Sequence, residues 1–374
     1  IFDNQTQEIN VLRLALRYNQ YQTMKSTLII LLLLIVSVHC VSQTNNNKDV
    51  YKKIYDVSLQ DYNSIELEVG HYIETDNVLM HYITFGDPKN TPLIWVHGTG
   101  MSSWEILNFR DSLERMNLYV IAIDYYGHGQ TPMPKSDKSI YHVADDINFL
   151  MESLNLDKAI VGGWSRGGYI ATAFYAEYQK KVLGLMLVDG GSANALVPRY
   201  QMNRDTLKER YKSMHGVEDL LLTYDTKFEA FCALVDTNNI ESQSWILDGL
   251  KKGLNNEWGY TSDVWPSVAN ESPEAMLAAV ESPTLAPLMA SSTYLMEPLV
   301  IYRNLDIPIL IIDPVTESET WQDYTPENVK LKDLHAELVT HRIYNETQHH
   351  AHLQRPEWFI NDLKLLVVKV KKRL

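Results

Sequence analysis

The chain of 374 residues carries a formal net charge of −14 and is 45% hydrophobic, with eight tryptophans. That length holds one large domain or a domain with a sizeable insertion, and the apolar content is ample for a buried core, so disorder is not the default. The acidic balance, with no basic stripe, argues against a nucleic-acid partner.

Residues 1–23 begin with Ile and show no strong pattern. Met24-Lys25 is followed by the apolar run 28–38, broken only by Ser37, and then by polar Ser42-Gln43-Thr44-Asn45. A positive start, an apolar stretch too short to span a bilayer and a polar exit predict a secretory signal peptide over 24–42, cleaved after Ser42. Residues 1–23 then read as an upstream segment that is not native. The expected product is exported, periplasmic or secreted, with no stable membrane span after signal removal. An uncleaved anchor and lipid attachment at Cys40 compete with this reading, but His39 departs from the small residue a lipoprotein signal wants. After cleavage Cys232 is the one cysteine left, which removes an intramolecular disulfide and a paired-cysteine zinc site and predicts a buried thiol.

A polar leader over 43–53 precedes two or three expected strands between 65 and 85, closed by the turn cluster Gly86-Asp87-Pro88-Lys89-Asn90. Pro92-Leu93-Ile94-Trp95-Val96 is a continuous apolar run, as a strand buried on both faces requires, and it enters His97-Gly98-Thr99-Gly100. A helix over 103–116 follows, capped by Ser102 or Ser103. The next buried strand, 118–124, ends in Tyr125-Tyr126-Gly127-His128-Gly129-Gln130-Thr131, and helical periodicity resumes over 140–154.

Ala159-Ile160-Val161 then leads into Gly162-Gly163-Trp164-Ser165-Arg166-Gly167-Gly168, and Tyr169-Ile170-Ala171-Thr172-Ala173 has helix-forming character. This is a strand, a tight turn and a helix with a serine at the apex. Such a turn projects the hydroxyl clear of the sheet, and Gly163 and Gly167 lack the side chains that would clash where the flanking chain passes. Another buried strand, 182–188, ends at Asp189-Gly190-Gly191. Strands alternating with helices predict an α/β fold with a doubly wound, mostly parallel sheet. Ligands in such sheets sit at the carboxyl ends of the strands, where His97, Asp124, Ser165 and Asp189 all fall.

The rhythm breaks over 192–306, which reads as helices and loops rich in aromatics and Met, among them Tyr211, Trp245, Trp258, Tyr260, Trp265 and Met276. Strand character returns at Ile307-Pro308-Ile309-Leu310-Ile311-Ile312-Asp313, so the expected organisation is a core in two parts, 43–191 and 307–374, around an inserted helical cap. Most of the cap aromatics form its own core, with one or two lining a pocket. A short helix near 327–334, a strand over 337–344, the polar loop Gln348-His349-His350-Ala351-His352 and an amphipathic helix from Pro356-Glu357 complete the chain. Its basic end, 369–373, suits the helix dipole.

The order of elements over roughly 65–371 resembles the α/β-hydrolase fold, in the capped, esterase-like branch of its serine hydrolases. Four local patterns carry the resemblance: the His97-Gly98 loop, Asp124-x-x-Gly127-x-Gly129-x-Thr131, Gly163-x-Ser165-x-Gly167, and His349-x-x-His352-Leu353-x-x-Pro356-Glu357. The resemblance implies a catalytic Ser165, with a histidine and a carboxylate later in the chain, because a serine hydroxyl attacks only when a base takes its proton and a carboxylate orients that base. His349 is the expected base, His350 its one-residue alternative and His352 a packing residue; Gln348 replaces the family's usual Gly. For the acid, alignment of 307–312 with the seventh strand places Glu317, while Asp313, Glu319 and Asp189 remain open. Backbone N–H groups of Thr99 and Arg166 are expected to hold the oxyanion. The Arg166 side chain is expected in a surface salt bridge, with an acidic substrate as the alternative. Asp124 and His128 are expected to serve loop architecture.

The implied activity is cleavage of a carboxylic ester through an acyl-enzyme on Ser165, on a small-molecule substrate with an apolar part, with no cofactor or metal. Acyl transfer, and lactone, amide or carbon–carbon bond cleavage, stay open. So does a non-catalytic α/β-hydrolase-fold ligand-binding protein. Trp164 interrupts the glycine spacing of a dinucleotide-binding turn, and the Gly-Lys-Ser/Thr of a P-loop is absent. Gln354 and Arg355 stand where a metal cluster around His349 would need further ligands.

Overall fold

Four strands whose every residue but a few is apolar build the centre of the sheet: β3 (Thr91–Val96), β4 (Leu118–Ile123), β5 (Ala159–Trp164) and β6 (Val182–Val188). With β1 (Gly70–Glu74) and β2 (Leu79–Phe85) before them, and β9 (Ile309–Val315) and β10 (Val339–Asn345) after, they form one eight-stranded sheet of order β1-β2-β4-β3-β5-β6-β9-β10. β2 is antiparallel to β1 and β4, and every pairing from β4 to β10 is parallel. These are the features of a computed structural model that describes residues 45–214, 222–253, 256–260, 273–316 and 323–373.

The central runs are continuously apolar because both faces are covered. On one face Ile94, Val96, Ile121, Val161 and Leu187 pack against the helices Ile140–Ser153 and Arg166–Tyr178. On the other, Trp95, Ala122, Met186 and Ile312 meet the 3₁₀ turn Ser103–Phe109, the helix Arg110–Arg115 and the last helix, Pro356–Lys371. The expected helix over 103–116 is therefore two pieces. Ser102 caps the first, accepting from the Trp104 N–H at 3.3 Å.

The N-terminal region differs from its sequence reading. Asn45–Val69 is a single helix, not a polar leader running into strands, and the sheet begins only at Gly70. Its inward face carries Ile54, Ser58 and Val69, all buried, with Tyr51, Tyr55, Tyr62 and Ile65 partly so. Ile54 packs with Phe231, Ile246, Leu247 and Leu250 from the insertion between β6 and β9. Expected as helices and loops, the insertion also contains a small antiparallel sheet of β7 (Leu250–Lys252) and β8 (Trp258–Tyr260). Trp258 and Tyr260 belong to the insertion's core, Trp245 is exposed, and Cys232 is buried in the helix Lys227–Leu234.

The signal-peptide reading, including Cys40, lies outside the described residues, as do Trp265 and His215. Among the described residues no helix is long and apolar enough to cross a membrane.

Candidate active site

β3 and β5 lie side by side with Val96 opposite Gly163, while the chain leaves them in opposite directions across the sheet. That reversal opens a crevice at their carboxyl ends. His97-Gly98-Thr99 leaves β3 on one side of it and Ser165 leaves β5 on the other.

Ser165 has φ 55° and ψ −124°, a left-handed backbone that a residue with a Cβ rarely adopts. Three contacts hold it there. Its N–H donates to Val188 O at 2.9 Å, extending the β5–β6 ladder by one step, and its carbonyl accepts from Gly168 N at 3.0 Å, opening the helix Arg166–Tyr178. The third is close approach: a Cβ on Gly163 would stand 2.3 Å from the Gly167 backbone, and one on Gly167 only 2.0 Å from Val96 O. The glycines two residues on either side of the serine are therefore steric requirements of the turn.

His349 sits in the loop after β10. Thr347 Oγ1 donates to Tyr344 O at 2.6 Å, and Gln354 Oε1 accepts from Gln348 N at 2.7 Å, so the Gln at 348 takes part in shaping the loop. The Trp164 indole N–H donates to His349 O at 2.6 Å, joining the loop to the residue just before Ser165. So held, His349 places Nε2 at 2.8 Å from Ser165 Oγ and Nδ1 at 2.5 Å from Asp189 Oδ2. An ionised carboxylate only accepts, so Nδ1 carries the proton and Nε2 takes the serine's hydrogen bond.

Asp189 also has a positive φ, 45°, and its N–H continues the β6–β9 ladder to Ile312 O at 2.9 Å. Its side chain is 3% exposed against 30% for His349, so a buried carboxylate backs an imidazole that reaches solvent.

The carboxylate on His349 is thus Asp189. Glu317, the expected acid, and Glu319 lie outside the described residues. Asp313 is turned away: it accepts from His341 Nε2 at 2.6 Å and from Asn328 Nδ2 at 2.8 Å. The three clustered histidines go separate ways. His350 packs against Trp164 in a tilted contact with ring centroids 4.6 Å apart, and burial holds its pKa below the ordinary value. His352 is fully buried, paired with Glu105 and packed against Trp95 and Phe359.

Thr99, half-buried, receives the Tyr125 hydroxyl at 3.3 Å, and Arg166 is the first residue of its helix, so both backbone N–H groups belong to segments ending at the crevice. Asp124 closes loops around it, accepting from Ser103 N at 2.6 Å and Gln130 N at 2.8 Å and pairing with His81 Nδ1 at 2.7 Å. Burial opposes the charge on His81, but Asp124 and Glu66 outweigh it and raise its pKa to about 10. Glu66 comes from the N-terminal helix and also accepts from the Trp104 indole at 2.6 Å, a tie that local sequence reading missed.

A family model described as alpha/beta hydrolase fold matches residues 91–251. The chain has the α/β-hydrolase fold. "Lipase 3" of Moraxella sp. is 30% identical over 156 residues, covering 41% of this chain and 46% of that protein. The "AB hydrolase superfamily protein YisY" of Bacillus subtilis is 26% identical over 132 residues, covering 35% and 48%. The matched stretch therefore spans about half the length of these two relatives. Among solved structures, one from work on carboxylesterases of the thaumarchaeon Nitrososphaera gargenis superposes with a TM-score of 0.55 at 18% identity, covering 81% of this chain and all of that one. At that identity the likeness is one of fold.

Proposed function

We propose that the chain is a serine hydrolase of the esterase class, cleaving a carboxylic ester of a small molecule with an apolar part. The observation that carries this reading is the continuous hydrogen-bonded series Ser165 Oγ, His349, Asp189. In the proposed reaction His349 Nε2 takes the hydroxyl proton as Ser165 Oγ bonds to the acyl carbon, and the carbonyl electrons move to oxygen. The N–H groups of Thr99 and Arg166 receive that oxyanion. As the carbonyl re-forms, the ester C–O bond breaks and the alcohol departs with the proton from Nε2. Water then attacks the acyl-enzyme by the same route, releasing the acid and restoring Ser165. Asp189 holds the tautomer throughout and stabilises the transient imidazolium. Esterase and lipase names among the relatives agree with this class. The 24–42 pattern supports export of the enzyme.

A fluorophosphonate probe tests the proposal, since it phosphonylates only an activated serine. Mass mapping should find the label on Ser165 in folded protein and lose it in His349→Ala. An unlabelled Ser165 in folded wild-type protein would overturn the reading.

A further inference from the structure

Trp164, the residue before Ser165, is 2% exposed and touches both of the loops that meet at the serine. On one side its indole N–H donates to His349 O. On the other, the six-membered half of the ring lies against the His97-Gly98-Thr99 segment: a Cβ on Gly98 would stand 2.5 Å from Trp164 Cε3 and 2.6 Å from Cζ3. Only a glycine leaves room for that approach. One side chain therefore joins the carbonyl of the proposed base to the segment carrying the Thr99 N–H, and its own backbone continues into Ser165.

A second bridge runs between the same two segments. Glu105, in the 3₁₀ turn that follows the Thr99 loop, pairs with His352 of the His349 loop, and both side chains are fully buried. The His352 ring lies 5.3 Å from that of Trp164, centroid to centroid. Packing alone does not require an indole here, since a phenyl ring also fills apolar space. A buried indole N–H requires an acceptor, and this one is the backbone of the proposed base.

Resting on the esterase reading, we propose that Trp164 is a positioning residue whose indole holds the His349 imidazole and the Thr99 N–H in a common register with Ser165 Oγ. The N–H fixes the His349 peptide, and the six-membered ring supports Gly98. A shift of about 1 Å in either group costs up to about 10²-fold in rate. Trp164 acts on the protein's own groups rather than on substrate, so the loss falls on kcat and leaves KM nearly unchanged.

Two variants of the full chain separate the two halves of the ring. Site-specific replacement of the Trp164 indole by benzothiophene puts sulfur in place of the N–H and keeps the shape, so folding is preserved. Trp164→His keeps a donor, because imidazole Nε2 superposes on indole Nε1, and removes the ring under Gly98. Hydrolysis of p-nitrophenyl butanoate and the rate of Ser165 labelling by a fluorophosphonate are measured on each, with Tm. Each variant should lose about tenfold to 10²-fold in kcat and in labelling rate, with KM within about twofold of wild type. Wild-type kcat in the benzothiophene protein, or a loss confined to KM or to Tm in either variant, would overturn the inference while labelling of wild-type Ser165 leaves the esterase reading standing. A wild-type Ser165 that does not label would remove both.

Discussion

Asp189 Oδ2 lies 2.5 Å from Nδ1 of His349, across 160 residues of sequence. The contact exists because two strand ends and one loop converge: β6 delivers Asp189 beside Ser165, and the loop after β10 is drawn over both by the Trp164 indole. It makes a prediction that separates the carboxylates of the crevice.

Asp189→Asn should lower kcat/KM on any ester substrate by about 10⁴-fold, because an amide at that position no longer selects the productive tautomer. Asp313→Asn should lower it far less, since Asp313 serves His341 and Asn328. Steady-state kinetics on the two variants, with Glu317→Gln beside them, checks the assignment. A full loss in Asp313→Asn or Glu317→Gln with activity retained in Asp189→Asn would reassign the acid.

Gly167→Ala should damage the fold rather than the chemistry alone. The new Cβ would stand 2.0 Å from Val96 O and 2.6 Å from His97 O, both backbone atoms of the central sheet and its loop. Neither is free to move without breaking the β3–β5 ladder, so a loss of stability above about 3 kcal/mol is expected, by urea denaturation. Wild-type stability in the variant would contradict the steric argument.

Asp248 supplies a pH dependence. Burial, reinforced by the nearby charge of Asp124, raises its pKa from 3.8 to about 7, against the Ser102 hydrogen bond and His81, which lower it. The folded protein therefore holds a proton that the unfolded chain has released. Its contribution to stability is fully present below about pH 4 and is lost as pH rises through about 7. Asp248→Asn, still able to accept from Ser102, removes this term. The variant should gain on the order of 1–3 kcal/mol over wild type at pH 8, and little at pH 4, in denaturation series across pH. An equal gain at both pH values would show that the carboxyl does not titrate in that window.

Much of this protein is legible in one dimension because its decisive patterns are local. The four central strands are unbroken apolar runs, and the Ser165 turn needs only the glycines at 163 and 167. The His349 loop stands at a fixed distance before Pro356. The N-terminal helix was legible too, in the periodic spacing of Tyr51, Tyr55, Ser58, Tyr62, Ile65 and Val69, but the polar residues between them masked it.

What local pattern cannot rank is four carboxylates near strand ends, each compatible with the same chemistry. The choice depends on the register of β6 on β9, on the positive φ of Asp189, and on Asp313 being claimed by His341 and Asn328. Sequence determined the sheet, the serine turn and the histidine loop, since each rests on contacts within a few residues. Tertiary structure alone decided which acid meets the histidine, because that contact is set by where distant strand ends and loops meet in space.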